Sequence, residues 1–130
     1  MRLVYAAVMV TCWSGAILAS WWLWRWYHQP RQWTGLWVDG NDPARRRIAS
    51  GAKSVVAPVV YRHYDDDGHC AYVGQAVNFP RRAYQEGKER MSEVFHSWVA
   101  ESCPRRHLDE VERNQIHHYR PYLNRTRGNR

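Results

Sequence analysis

The sequence lacks the short motifs of several common enzyme and metal-binding classes. Its three cysteines are widely spaced and form no C-x-x-C pair, so a zinc ribbon or a dithiol redox site has no support. No P-loop, G-x-S-x-G elbow or H-E-x-x-H helix is present, which argues against the nucleotide hydrolases, serine hydrolases and metalloproteases that carry them. Internal repeats and low-complexity tracts are also missing. The simplest account of the cysteines is three reduced thiols.

Acidic residues are scarce relative to basic ones. The 130 residues include 12 Asp and Glu against 19 Lys and Arg, a formal net charge of +7. Such a surplus favours an anionic partner, either a nucleic acid or an anionic lipid surface. With 45% hydrophobic residues the chain is not disordered, and its length suits one small domain plus an appendage.

The N-terminal part has a long stretch without charge. Residues 3–24 contain no charged side chain, and as a helix they would span about 33 Å, enough for the roughly 30 Å apolar core of a bilayer. Tryptophans cluster at the end of this stretch, as in an aromatic belt. We predict a transmembrane helix over residues 1–27 that contacts the membrane through residues 3–24. A cleaved signal peptide and a buried core helix are the alternatives.

Basic residues follow this stretch, and glycine and proline punctuate the next segment. The positive-inside rule then predicts a single-pass membrane protein with its C-terminal domain in the cytoplasm. We predict that residues 28–57 form a basic juxtamembrane linker, in which residues 36–38 make a short strand or lie at the membrane interface. The cluster Arg45, Arg46 and Arg47 is either a positive-inside signal or a contact for anionic lipid or nucleic acid.

A β-hairpin is predicted next, with strands at residues 59–64 and 69–74. The loop of three aspartates and Gly68 suits a four-residue connection, and it lacks the ligand pattern of a calcium loop. With residues 65–68 as the loop, Tyr61 falls directly opposite Tyr72, which places both phenols on one face. Gly74 would let the backbone approach another group closely.

A helix is predicted from Asn78 to about Arg90. Asn78 is a suitable N-cap, and Pro80 lies in the first turn, where its missing N–H costs little. Arg81 and Arg82 stand at the positive end of the helix dipole. A helix N-terminus with arginine is a suitable site for phosphate, so this placement predicts an anionic ligand.

The second half predicts a third strand over residues 93–101 and a helix over residues 104–119. Glu112 lies in the apolar stripe of that helix, so it is expected either to meet a cation (Arg82 or a metal ion) or to reach solvent at the stripe's edge. Pro121 ends the helix, and residues 126–130 form a basic tail. The predicted fold class is α+β, a small three-stranded antiparallel sheet flanked by helices and preceded by a single transmembrane helix.

Residues 58–125 resemble the GIY-YIG nuclease family. Val59-Val60-Tyr61 stands where the family has GIY, and Tyr72-Val73-Gly74 stands where it has YIG, with the two tyrosines eleven positions apart. Arg82 follows the second tyrosine by ten positions, at the place of the family's essential arginine. Glu112 precedes Pro121 by nine positions and Asn124 by twelve, as in the metal-binding helix of the bacterial excision-repair nuclease. The sequence departs from the pattern at Val59, at Gln75 (often lysine) and at Glu86 (often histidine or tyrosine).

The resemblance implies a metal-dependent endonuclease that hydrolyses DNA, double-stranded or branched. Glu112 would hold one Mg²⁺ or Mn²⁺, Arg82 would neutralise charge on the phosphate, Tyr61 would activate water and Tyr72 would orient water or phosphate. Low intrinsic specificity is expected, or a protein partner that supplies it. The alternative is a catalytically weak or inactive nucleic-acid-binding module. The expected nucleic-acid contacts are Gly74, Arg81, Arg82, Asn124 and Arg125, with Asn78 and Pro121 in structural roles.

Overall fold

The computed structural model describes residue 20, residues 29–42 and residues 45–124. From Arg31 onward they belong to one compact unit. Five strands form an antiparallel, curled sheet: β1 (Gln32–Asp42), β2 (Arg45–Ala49), β3 (Val59–Tyr64), β4 (Cys70–Ala76) and β5 (Ser97–Ser102). Their order across the sheet is β2-β1-β5-β3-β4, so the last strand of the chain lies in the centre.

The prediction of a three-stranded sheet was wrong, because residues assigned to the linker form two further strands. Residues 36–38 lie within β1, which pairs with β5 from Gln32↔Glu101 to Leu36↔Ser97. Gly40, taken as linker punctuation, lies within β1 near its connection to β2. β1 carries Trp37 inward with a 3% exposed side chain, so this segment belongs to the core.

The predicted transmembrane helix over residues 1–27 lies almost entirely outside the described residues. Among the residues that the structure does describe, no helix is long and apolar enough to cross a membrane. The described helices Phe79–Lys88 and Leu108–Tyr119 have 10 and 12 residues, whereas a span needs about 20 apolar ones. The expectation of a single-pass membrane protein is corrected accordingly.

Two helices cover the two faces of the sheet. Helix α1 (Phe79–Lys88) begins as predicted, with the Asn78 side chain accepting a hydrogen bond from the backbone N–H of Arg81 at 3.2 Å. Three-residue 3₁₀ turns precede β3 and the second helix, and Arg90–Val94 forms another before β5. Helix α2 (Leu108–Tyr119) ends at Arg120, whose φ of 49° is left-handed, and buried Pro121 follows it.

The core has one cluster on each face of the sheet. The larger contacts α1 and includes Trp37, Tyr61, Phe79, Phe95 and Trp98. The smaller contacts α2 and is built on Val60, Val73, Cys103 and Leu108. Because side chains alternate along a strand, neighbouring residues of β3 and β4 face different helices. This alternation sends the tyrosines towards α1 and Gln75 towards α2.

Candidate active site

The β3–β4 hairpin brings Tyr61 and Tyr72 to one face of the sheet, through a register that differs from the predicted one. Tyr61 pairs with Gly74, and Tyr72 pairs with His63. The turn holds one residue more than predicted, and a bulge between His63 and Tyr64 adds another. Because side chains alternate with a period of two, a shift of two residues keeps both rings on the same face. Their centroids lie 6.2 Å apart.

Gly74 has a packing role that the predicted DNA contact did not include. A Cβ atom at this position would lie 2.5 Å from the Tyr61 hydroxyl oxygen and 2.9 Å from Cε1 of Tyr72. Position 74 therefore requires glycine, since the Tyr61 ring lies over the backbone there and leaves no room for a Cβ atom. Gly74 is buried, and the group that its backbone approaches closely is the phenol of Tyr61, its partner on β3.

Glu86 is the centre of a buried polar network. It is 0% exposed and accepts a hydrogen bond from the Tyr61 hydroxyl through Oε1. Its other oxygen, Oε2, lies 2.7 Å from Nε2 of His63, and Nε of Arg82 lies 3.3 Å from Oε1. A buried carboxylate is stable only when paired and hydrogen-bonded. These three partners explain how Glu86 can occupy the interior.

The hydrogen-bond geometry fixes the protonation of His63. The indole N–H of Trp37 donates to Nδ1 of His63 at 3.3 Å, and both side chains are buried. An indole nitrogen can only donate, so Nδ1 must carry a lone pair. The ring proton therefore sits on Nε2 and is donated to Glu86. His63 is neutral in this arrangement, and the negative charge of Glu86 faces the positive charge of Arg82.

Tyr61 is wholly enclosed. Burial raises the pKa of its phenol well above the ordinary value of 10.0, and the charges of Glu86 and Tyr72 raise it further. Its hydroxyl is therefore protonated at neutral pH and donates to Glu86. In this state Tyr61 cannot take a proton from water unless it first gives its own to the carboxylate.

Arg82 is the exposed member of the group, with 40% of its side chain accessible. Its pKa is raised, first by its contact with the Tyr61 hydroxyl and then by the charge of Glu86 and the hydroxyl of Tyr72. Its Nε is enclosed and makes no hydrogen bond of good geometry with a described residue. Arg81, one position earlier in the first turn of α1, is exposed. The guanidinium of Arg82 thus joins the buried network to solvent.

Glu112 lies on the other helix, with Asp109 one turn before it. Gln75 of β4 joins the two carboxylates: its amide donates to Asp109 Oδ1 at 2.6 Å and also bonds to Glu112. Burial raises the pKa of Glu112 and the charge of Asp109 raises it further, while Gln75 and the charge of Arg82 lower it. The charge of Arg82 is the smallest of these effects on the pKa of Glu112. Among the described residues, no ion pair joins Glu112 to a cationic side chain.

Two residues at the end of α2 stabilise the fold. Asn124, predicted to contact nucleic acid, accepts from the backbone N–H of Val73 at 2.9 Å and donates to the Val73 carbonyl at 2.8 Å. It holds the chain along the free edge of β4, next to the bond from Leu123 N–H to Ala71 O. Buried Pro121 follows the helix end, as predicted. Arg125 and the tail of residues 126–130 lie outside the described residues.

The basic cluster of β2 has partners within the fold. Arg46 forms an ion pair with Glu93. Arg47 binds Asp39 at 2.7 Å and also donates to two backbone carbonyls. The Arg45 guanidinium lies over the Tyr84 ring, 4.5 Å from its centroid. Much of this cluster therefore stabilises the β2 edge, while Arg45 faces a groove between β2 and α1.

A second group of potential metal ligands lies in the hairpin turn. Asp65, Asp67 and His69 each offer one ligand atom, and these atoms lie within 4.8 Å of one another. Asp65 already accepts hydrogen bonds from the backbone N–H groups of Asp67 and His69 and from the Tyr122 hydroxyl. These bonds shape the turn between β3 and β4.

Sequence reasoning did not identify four residues of this site: Trp37, His63, Glu86 and Asp109. Trp37 lay in a segment taken for a linker, and His63 reaches Glu86 through the packing of α1 against the sheet, which no local spacing encodes. Glu86 was noted as a departure at the right position, but its buried partners are more than twenty residues away in the chain. Asp109 had a signal: it precedes Glu112 by three residues and therefore shares its helix face.

No family model, curated protein or solved structure matches the chain.

Proposed function

We propose that the chain is a metal-dependent endonuclease of the GIY-YIG type that hydrolyses DNA phosphodiester bonds. The observation that supports it best is the cluster of Arg82 with the hydroxyls of Tyr61 and Tyr72, beside the buried carboxylate of Glu86. A partly exposed guanidinium next to two phenols is a suitable site for a phosphate ester. Glu112 projects from the other helix, where burial raises its pKa and the charge of Arg82 lowers it to a smaller extent.

The donor set at the α2 face fits a hard divalent cation. Asp109 and Glu112 offer carboxylate oxygens one helical turn apart, and the amide of Gln75 lies between them. Oxygen donors of this kind suit Mg²⁺ or Mn²⁺. Burial raises the pKa of Glu112, and the neighbouring charge of Asp109 raises it further, so a bound cation would favour the ionised form of this carboxyl group. When bound there, one ion would neutralise charge on the phosphate and stabilise the leaving oxygen.

Arg82 and Tyr72 are the groups proposed to hold the phosphate. The guanidinium is partly exposed at the first turn of α1, where the helix dipole also favours an anion. It would donate hydrogen bonds to the phosphate oxygens as negative charge develops on them. Tyr72, 5% exposed and in contact with Arg82, would orient the phosphate or the attacking water.

Tyr61 would act through Glu86. When Arg82 turns towards a bound phosphate, the Tyr61 hydroxyl is uncovered. Tyr61 then passes its proton to Oε1 of Glu86 while its oxygen takes a proton from the attacking water. The new O–P bond forms as the bond to the leaving oxygen breaks, the leaving oxygen takes a proton from solvent, and Glu86 later releases its proton to solvent. His63 keeps Glu86 in place throughout this transfer.

The substrate is proposed to be DNA, double-stranded or branched, cleaved with low intrinsic sequence specificity. The compact unit has 100 residues, and its two helices both serve the core and the site. A protein partner would therefore supply any strong sequence preference.

The test of this function is nicking of supercoiled plasmid by wild-type protein and by the Arg82→Ala variant. We expect wild type to nick in Mg²⁺ and to stop in EDTA, and Arg82→Ala to lose about 10²- to 10³-fold in rate, as for other oxyanion donors. The exposed Arg113→Ala variant removes the same charge elsewhere and should keep its activity. Equal nicking by the Arg82→Ala and wild-type proteins would contradict the proposal.

The second candidate is a nucleic-acid-binding module that has the same residues but little or no activity. The observation in its favour is the enclosure of Tyr61, together with a carboxylate where relatives of the proposed family often carry histidine or tyrosine. If this candidate is correct, the protein binds DNA in EDTA, and it does not nick DNA when Mg²⁺ or Mn²⁺ is supplied.

A further inference from the structure

A groove lies between β2 and α1. It encloses about 580 Å³, within the usual range for ligand sites of roughly 300–1,000 Å³. Its floor is made of small and apolar side chains, among them Ile48, Ala52, Pro80 and Ala83. Arg45, Lys53 and Tyr84 stand around it. None of its described lining residues is acidic.

The walls combine cations with an aromatic ring. Tyr84 is 44% exposed, the Arg45 guanidinium lies 4.5 Å from its ring centroid, and Nζ of Lys88 lies 4.4 Å from it. Nε of Arg45 is enclosed and has no hydrogen-bond partner among the described residues. Arg45 itself lines the groove, so its guanidinium would donate hydrogen bonds to an anionic oxygen bound there.

We propose that this groove binds an unpaired nucleic-acid strand, with one base against Tyr84 and its phosphates on Arg45 and Lys53. Bases stack on aromatic side chains, and a cationic groove follows the backbone of a single strand. Lys88, which is exposed and lies over the Tyr84 ring, would move to a phosphate when the base stacks. A duplex cannot present a free base face to the groove, so single strands are the preferred ligand.

The groove lies near the proposed cleavage site. Arg82 and Tyr84 are two residues apart on α1, which turns them about 200° from one another. Exposed Arg81, in the first turn, projects between Tyr84 and Arg82 when the helix is viewed along its axis. A strand passing over this turn would cross a helix about 10–12 Å wide, or about three stacked nucleotides at roughly 3.4 Å each. The groove would then hold an unpaired segment about three nucleotides from the cleaved bond.

The position relative to the cleaved bond rests on the proposed function, whereas strand binding by the groove does not. Binding is therefore to be measured in EDTA, where no cleavage occurs. The probes are a fluorescein-labelled oligo(dT) of about 12 nucleotides, a length within the known range of single-strand sites, and a duplex of the same length. Fluorescence anisotropy with the full chain gives both affinities.

The Tyr84→Ala variant should bind oligo(dT) about 5- to 150-fold more weakly, the usual effect of losing one stacked base. Its affinity for the duplex should change much less. Tyr84→Phe keeps the ring and should bind oligo(dT) like wild type. Lys53→Ala should weaken binding and reduce the salt slope by about 0.7, one phosphate contact on a single strand. Arg105→Ala, an exposed cation next to α2, is the matched control.

Unchanged oligo(dT) affinity in Tyr84→Ala would overturn the proposal. Equal losses for oligo(dT) and duplex would also overturn it, because they indicate a general electrostatic surface. Plasmid nicking by the same variants separates the two hypotheses. If wild type binds oligo(dT) through Tyr84 but never nicks, strand binding by the groove is supported and the nuclease proposal is contradicted. If wild type nicks and Tyr84→Ala binds oligo(dT) like wild type, the nuclease proposal is supported and strand binding by the groove is contradicted.

Discussion

In the proposed mechanism, Glu86 determines how Tyr61 can act as a base. It holds the Tyr61 hydroxyl on one oxygen and His63 on the other, and Trp37 fixes the histidine from behind. A phenol with a raised pKa becomes useful as a base only beside a group that accepts its proton. In this chain a carboxylate occupies that place.

We predict that Glu86→Gln lowers the nicking rate by about 10²- to 10⁴-fold at neutral pH, the usual loss for an acid–base group. The amide still accepts a hydrogen bond from Tyr61 but cannot take its proton. The remaining rate should rise with pH throughout the alkaline range, because hydroxide replaces the missing acceptor, while the wild-type rate levels off. The measurement is the pH profile of nicking.

The matched control is Glu89→Gln, which removes an exposed carboxylate three residues further along. It should retain the wild-type rate and profile. If Glu86→Gln folds and shows the wild-type pH profile of nicking, Glu86 has only a structural role and the proposed proton transfer is contradicted.

The spacing of Tyr61, Tyr72 and Arg82 along the chain carries the resemblance to the nuclease family, and their roles in catalysis stay a prediction. The common face of the tyrosines tolerates the two-residue error in register, since strand alternation has an even period. His63 and Glu86 could not be paired from the sequence. Their contact depends on how α1 packs against the sheet, and no local spacing encodes it.

At the scale of elements, β1 and β2 complete the sheet on which the site stands. β1 pairs with β5 over five residues and supplies Trp37 to the histidine. The indole of Trp98 in β5 donates to the Ser50 carbonyl, just after β2. These strands were hidden in the sequence because Gly40 and Pro43 are typical of loops as well as of hairpin turns. The hairpin and both helices had clearer signals, namely β-formers around a turn, an N-cap and an apolar stripe.

We predict that a fragment of residues 31–130 unfolds cooperatively, whereas a fragment of residues 54–130 does not. The shorter fragment removes β1 and β2, exposes the edge of β5, and removes the hydrogen-bond partners Ser50 of Trp98 and Trp37 of His63. Near-ultraviolet circular dichroism during thermal unfolding would show the difference. A cooperative transition of the shorter fragment at the same temperature would place β1 and β2 outside the folding unit.

At the scale of the whole molecule, the proposed site draws on two faces of one sheet. The α1 face would supply the tyrosines, Arg82 and Glu86, and the α2 face would supply Asp109 and Glu112. The net charge of +7 favours an anionic partner, which agrees with the proposed DNA substrate without specifying a sequence. The resemblance in sequence named the tyrosines, Arg82 and Glu112, whereas the buried network around Glu86 could be seen only in the structure.

The most direct test of this account is the rate of plasmid nicking in Mg²⁺ by the Glu112→Gln variant, with Glu110→Gln as its control. Because the folded pKa of Glu112 is raised above its ordinary 4.5, its ionised form destabilises the metal-free fold above that pH. Glu112→Gln should therefore melt at pH 7 in EDTA no lower than wild type, with the difference vanishing below pH 4.5. A loss of nicking cannot then be attributed to unfolding.

We predict that wild type and Glu110→Gln nick in Mg²⁺ and stop in EDTA, and that well-folded Glu112→Gln nicks in neither. Full Mg²⁺-dependent nicking by Glu112→Gln, or nicking by wild type that continues in EDTA, would contradict the account.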